Sequence, residues 1–462
     1  MKRIALIFVG FGLLLAACGG GQAAPSSAPP SSAAPAKPAP ASNAAPKASS
    51  AAPSAASVKP SASSAAPASA AAPAASTGKS VCGLGNSQKA TGTPIKLGAI
   101  ATNQPGTDFT DIPNAAKAYF ECVNENGGIN GHPIDYSIET EQTDPGQVAS
   151  LAKKLVESTK VVGIVGNTSI IECAVNHAYY EQKGFYIIDS GIAPECYSTS
   201  NSAPVNMGPR YSSDGAVQYA IRAGAKKIIF DQANVPGTGY IKAGPEAIAK
   251  QAKIPEVSLA EDVPIKDANS VALKEVQAAG QGGAVVLNFT PPEALKILQA
   301  AQQQGLAAKV IWACSTPCNT DFLAKALGPQ WNGKLGVNAE LNLISASAPD
   351  STLYREVMQK YAPKVALGSF SQMGFLEARI AVAALLTIKG DYTAQSVNQA
   401  FKNVKDFKTD IVCKPWYYGP VPNNWDRTVT PQNGKMVEKE GCFAISDVDA
   451  DIAKVRAAEA KQ

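Results

Sequence analysis

Small hydroxyl and amide side chains gather where an apolar run ends: Gly166-Asn-Thr-Ser169 follows Val161-Val-Gly-Ile-Val165 and precedes a helical pattern beginning near Ile171. The first amides of a helix have no intrahelical partner, so Asn167, Thr168 and Ser169 could help them hold a carboxylate or another oxygen acceptor. Thr168 or Ser169 could instead cap the helix, and the residues alone leave both readings open. Ser190-Gly191-Ile192-Ala193-Pro194 ends another apolar run, and Glu293 sits in the first turn of a further helix, where a carboxylate suits the helix dipole. Phe370 stands at the start of a helical stretch over 371–388 and reads equally as core packing. No Gly-x-Ser-x-Gly elbow, Walker-type loop or His-Glu-x-x-His is present, and two histidines, His132 in a turn and His177 within a helix, offer little acid–base material. Glu139 and Glu141 share one face of a strand, the usual place of solvated acids. The expectation is a binding protein, not an enzyme, with no cofactor and no metal.

The elements that must position these residues alternate. Short apolar runs at 95–100, 134–140, 161–165, 186–189, 227–231, 284–289, 310–313 and 335–339 read as strands, with helical patterns between them at 147–158, 214–223, 270–279 and 291–304. Pro291 and Pro292 fit a first helical turn, and Gln304-Gly305 supplies the stop. Such alternation predicts an α/β fold with parallel sheets covered by helices on both faces. Ligands of open parallel sheets lie beyond the carboxyl ends of the strands. That rule selects the loops at 101–111, 166–171, 190–194, 232–240, 290–293 and 314–318, and with them Phe109 and Tyr240.

The N-terminus reads as an export signal over 1–17: Lys2 and Arg3, an apolar run from Ile4 to Leu15, then Leu15-Ala-Ala-Cys18, the pattern of a lipoprotein cleavage site with Cys18 as the lipidated residue. The following stretch to residue 80 is almost wholly Ala, Pro and Ser and cannot bury enough apolar area to offset its ordering entropy. About 60 flexible residues would hold a domain on the order of 45 Å from its anchor. The remaining chain, about 370 residues, is long for a single core and predicts two lobes. A net charge of +4, with no basic run interleaved with aromatics, argues against a nucleic-acid partner.

Apart from Cys18, eight cysteines remain, an even number that suits disulfides in an exported protein. Order along the chain suggests Cys82–Cys122, Cys173–Cys196, Cys314–Cys318 and Cys413–Cys442. The first would pin the start of the folded part to its first helix, and the last would close a hairpin. A zinc site would need paired knuckles, which the spacing lacks.

The string Asn126-Gly-Gly-Ile-Asn-Gly-His-Pro-Ile134 is a helix-to-strand corner, with glycines for the left-handed exit and Asn130-Gly131 for a tight turn. Together with Ile95-Lys-Leu-Gly-Ala-Ile100, Thr143-Asp-Pro-Gly-Gln-Val148, Lys154-Leu-Val156 and the Val161–Gly166 run, it resembles the first lobe of the type I periplasmic solute-binding proteins, in particular the branched-chain amino acid (Leu/Ile/Val) binding family of ABC importers. The resemblance runs from about 93 to about 445. It implies two Rossmann-like lobes joined by a three-crossing hinge, with lobe one at 93–208 and 336–405 and lobe two at 209–335 and 406–446. It implies that the Asn167–Ser169 loop holds the ligand's carboxylate, that Glu293 receives its ammonium, and that Phe370 lines the apolar pocket. Family members for amino acids carry Ser-Pro-Ala-Ala-Thr-x-Pro-Glu where this chain has Ser190-Gly191-Ile192-Ala193-Pro194-Glu195, two residues shorter and without the Thr. Ile192 there implies a smaller or more apolar ligand. Asp231-Gln-Ala-Asn-Val-Pro-Gly-Thr-Gly-Tyr240 resembles the family's aspartate followed by Tyr-Gly-x-Gly, with Pro236 in place of the ligand-touching aromatic and Tyr240 four residues later. The implied partners are a small amphipathic solute such as an amino acid, a related carboxylate or an amide, an ABC permease, and a membrane reached through the lipid anchor. The implied protein is an extracytoplasmic monomer. A sensory receptor of the same fold, and a lipoprotein that binds nothing, are the alternatives.

Overall fold

The computed structural model describes Cys82 and residues 84–419 and 423–445. The expected signal, Cys18 and the Ala/Pro/Ser tether lie outside the described residues. Two sheets organise the rest. The first contains β1 (Ile95–Gln104), β2 (Thr107–Asp108), β3 (Ile134–Glu141), β4 (Gly163–Asn167), β5 (Ile187–Asp189) and β6 (Ser202–Pro204). Its order β3-β1-β4-β5-β6 is parallel throughout, and β2 turns back antiparallel on the end of β1. The second contains β7 (Ile228–Ala233), β8 (Glu256–Glu261), β9 (Ala284–Asn288), β10 (Ile311–Cys314), β11 (Leu335–Asn338), β12 (Trp425–Gln432) and β13 (Lys435–Ala444). Here β11-β10-β9-β7-β8 are parallel, and β12 and β13 extend the sheet antiparallel.

Helices α1 (Asp111–Glu125), α2 (Pro145–Lys153) and α3 (Glu172–Lys183) connect the first strands; α4 (Gly208–Arg222), α5 (Ala243–Gln251), α6 (Ala268–Ala279), α7 (Pro291–Gln303) and α8 (Asp321–Leu327) belong with the second sheet. The chain then returns, and α9 (Pro349–Tyr361), α10 (Ser369–Leu385) and α11 (Ala394–Lys402) pack on the first. The chain therefore passes between the two sheets three times, after β6, after β11 and after α11. Among the described residues no helix is long and apolar enough to cross a membrane.

Alternation along the strands explains why both sheet faces are covered. Ile228, Phe230, Val286 and Ala313 face α4 and α5, whereas Ile229, Val285, Leu287 and Trp312 face α6, α7 and α8. Trp312 and Trp331 meet edge to face at 5.7 Å. In the first lobe Phe375 of α10 is met edge-on by Tyr119 of α1 at 5.2 Å and Tyr354 of α9 at 5.5 Å. Close approach of α10 to α1 depends on Gly374, where a Cβ would overlap the carbonyl of Ile112. The Gly127-Gly128 corner has positive φ at both glycines, 96° and 60°, and Gly128 packs against the His132 backbone where a side chain has no room.

The structure adds to the sequence expectation at the edges. β6, β8, β12 and β13 lie outside the apolar runs, and β8, at the sheet edge, carries Glu256, Ser258 and Glu261. The helix expected over 147–158 starts at Pro145, where Asp144 caps it by accepting from the Gln147 amide at 2.6 Å, and continues as a wider turn to Thr159. The structure joins Cys82 to Cys122, Cys173 to Cys196, Cys314 to Cys318 and Cys413 to Cys442. Cys413 lies before the β12–β13 hairpin, so its bond ties the third crossing to β13 and does not close the hairpin itself.

Candidate functional site

Loops leaving the carboxyl ends of strands from both sheets meet around a cavity of about 100 Å³. Its first wall comes from the first lobe. Phe109, after β2, and Phe370, at the start of α10, meet edge to face with centroids 5.3 Å apart. Ile192 and Met373 extend this apolar surface. The opposite wall is Val235 and Ile241 from the loop after β7 and Phe289 from the loop after β9. Such a lining suits the apolar part of a small molecule.

Polar atoms are few. Thr107 and Thr168 both line the cavity, and their buried hydroxyls have no partner within the protein. A buried hydroxyl without a partner carries a desolvation cost, which a ligand oxygen or nitrogen would relieve. Thr168 does not cap α3, whose N-cap is Ile171 with no side-chain bond. The loop's amides are less available than the sequence suggested: Thr168 N–H donates to the Ile100 carbonyl at 2.9 Å and Ile170 N–H to Thr102 Oγ1 at 2.9 Å. Ser190 lines the cavity and donates from Oγ to Glu377 Oε1 at 2.6 Å. Glu377 is fully buried in α10, and burial pushes its carboxyl well above the ordinary range.

Other expected residues stand elsewhere. Asn167 is buried behind the loop, where its Oδ1 accepts from the Ile100 amide at 2.8 Å and ties β4 to β1. Ser169 is buried beside it, also outside the cavity lining. Gly191 packs against Cys196, and its carbonyl accepts from Asn206 Nδ2 at 2.9 Å. Tyr240 donates its hydroxyl to the Ile192 carbonyl, a bond from one lobe to the other, and so reaches the ligand wall through the backbone. Glu293 is not brought to this cavity. Its carboxylate accepts from the Ile265 amide at 2.8 Å and from Lys296 Nζ at 2.8 Å, beside an adjoining cleft of about 370 Å³ that shares Thr107, Thr290, Pro317 and Phe370 with the cavity. An acid already bound to a backbone amide and a lysine has little capacity left for a ligand nitrogen.

The sequence reading missed Glu340. It follows β11 in the second crossing, is 1% exposed, and lines the cavity. Burial pushes its carboxyl up to about 8, against the pull of the Met207 amide, which donates to it, and of the nearby Thr316 hydroxyl. The available signal was an acid in Asn338-Ala-Glu-Leu341, directly after a buried strand. Thr290 Oγ1 also bridges the lobes, donating to the Gly106 carbonyl at 3.2 Å. Cys173, Asp189 and Cys196 bring donor atoms within 4.8 Å of one another, but both sulfurs are spent on their mutual disulfide. His132 and His177 each bond a backbone carbonyl at 2.8 Å, that of Thr93 and of Cys173.

The fold has counterparts among known proteins. No curated protein sequence matches the chain. Among solved structures, a fatty acid ABC transporter substrate-binding protein from Thermomonospora curvata superposes with a TM-score of 0.66 at 19% identity, covering 78% of this chain and 95% of its own. A branched-chain amino acid ABC transporter protein from Thermus thermophilus with bound valine gives 0.68 at 16% identity, covering 79% and 99%. A solute-binding protein from R. palustris in complex with 4-hydroxybenzoate gives 0.62 at 17%, covering 77% and 98%. At these identities the likeness is one of fold. The family model for periplasmic binding proteins matches residues 94–428. The chain therefore belongs to the periplasmic binding protein family.

Proposed function

We propose that this chain is the extracytoplasmic solute receptor of an ABC importer, held at a membrane by lipid on Cys18 and acting as a monomer. It captures a small amphipathic solute between two lobes, one built on each sheet, with β11 (Leu335–Asn338) belonging to the second. The observation that carries this reading is the apolar cavity at the strand ends of both sheets, with two residues of its lining, Thr107 and Thr168, holding buried unpartnered hydroxyls. Phe109, Ile192 and Phe370 take the apolar part, Thr168 and Ser190 the polar part, and closure raises the bound population by the ligand's differential affinity for the closed form. The structural relatives crystallised with valine and with 4-hydroxybenzoate support a solute of amino-acid or aromatic-acid size. The Phe109–Phe370 pair favours an aromatic or branched aliphatic group over a polar one.

Thermal unfolding of the full chain against amino acids, aromatic acids, short amides and ureas tests the receptor reading. At least one class raises the melting temperature; flat curves across the panel would overturn it. Substituting Cys18→Ser releases the protein from membranes if the anchor is as proposed, and unchanged membrane retention contradicts it.

A further inference from the structure

We propose that Glu340 decides the chemical class of the solute: its carboxyl is the acceptor for a nitrogen that donates a hydrogen bond, an ammonium or an amide N–H, on an otherwise apolar molecule. This rests on the receptor reading and assigns the partner that Glu293 is too occupied to be.

The hydrogen-bond bookkeeping around Glu340 fixes its role. The Met207 amide donates to Oε2 and holds that oxygen as an acceptor, in a residue that lines the cavity. The nearby Thr316 hydroxyl, which accepts from Ser212 Oγ at 2.8 Å and from Asn338 Nδ2 at 2.9 Å, also favours the ionised carboxyl. No Lys, Arg or His is among the cavity-lining residues, so nothing there neutralises an ionised Glu340. Asp426, fully buried, lies close enough to Glu340 to be raised by it, and Glu377 stands behind Ser190. A ligand carboxylate placed at this end would meet buried acids and no cation. An ammonium would pair with Glu340 once its proton has left, and an amide N–H would bond to its oxygen without a charge. The Ser190 proton is spent on Glu377, which leaves its oxygen as a second acceptor on the same cavity. The free hydroxyls of Thr107 and Thr168 accommodate an acceptor oxygen elsewhere on the same ligand.

The test uses matched probes on two scaffolds: isovalerate, isovaleramide and isoamylamine, and benzoate, benzamide and benzylamine. Calorimetric titration of the full chain at neutral pH should rank amine and amide about tenfold or more above the carboxylate on the preferred scaffold. E340Q keeps an acceptor for the Met207 amide and removes the charge. It should weaken the amine by about tenfold and the amide by far less. A carboxylate that binds tightest, or an amine affinity unchanged in E340Q, overturns the assignment. The wild-type ranking decides alone if E340Q does not fold. Silence from all six probes also overturns it, while the receptor reading fails only if the wider panel is silent as well.

Discussion

Thr168 shows what a single side chain can reveal. The residue lines the cavity, and its hydroxyl is buried and bonds to nothing in the protein. Thr168→Val therefore removes no intramolecular bond. It should leave the melting temperature of the unliganded protein within a few degrees while weakening the best solute by about tenfold, as measured by calorimetry. A large loss of stability with unchanged affinity would assign the hydroxyl to the fold. Glu293 carries the reverse expectation. Glu293→Ala strips the acceptor from the buried Ile265 amide and the partner from Lys296, which should cost about 1–3 kcal/mol in denaturant unfolding and leave affinity unchanged. At this scale the sequence made part of the site legible. Strand-end positions and the family resemblance located Thr168, Ser190, Ile192, Phe109 and Phe370, because strand direction dictates which loops face the cleft. They failed for Glu293 and Glu340, because an acid's neighbours in space decide whether it is engaged or available.

Among elements, the pairing of α1 with α10 has the clearest dependence on one residue. Gly374→Val would force the helices apart at Ile112, an overpacking cost of roughly 1–3 kcal/mol. Because Ile112 and Met373 both line the cavity, ligand affinity should fall with stability, and the two can be followed in one set of thermal melts with and without solute. A variant of wild-type stability would contradict the close packing. The parallel strands and their helices were readable because their apolar runs are buried on both faces. β12 was not: Trp425–Gln432 buries Asp426 and Arg427, charges that argue against a central strand until Asp426 Oδ1 is seen to accept from the Ala339 amide at 2.9 Å. β8 was hidden by its edge position, which leaves its side chains half exposed and polar.

The whole molecule carries buried acids on both sheets. Burial raises Glu340 to about 8, Glu172 to about 7 and Asp231 to about 7, each above the 4.5 or 3.8 of the free group. The native state thus holds more protons than the unfolded chain between those values, so stability falls as pH rises from about 5 to about 8. Denaturant unfolding across that range should show the decline, and a flat or rising profile would contradict the protonated state of these groups. Contact between the lobes is the other global property. Tyr240 on Ile192 and Thr290 on Gly106 join the lobes beside the cavity. Tyr240→Phe removes one of these bonds and should weaken solute binding by about fivefold without altering the unliganded fold. The place of the solute decides whether the cavity is the binding site. A crystal structure with the compound that raises the melting temperature most tests it directly. The prediction is a solute between Phe109–Phe370 and Val235–Phe289, with polar atoms on Thr168 and Glu340. A solute seated in the cleft beside Glu293, or outside the space between the two sheets, would contradict it.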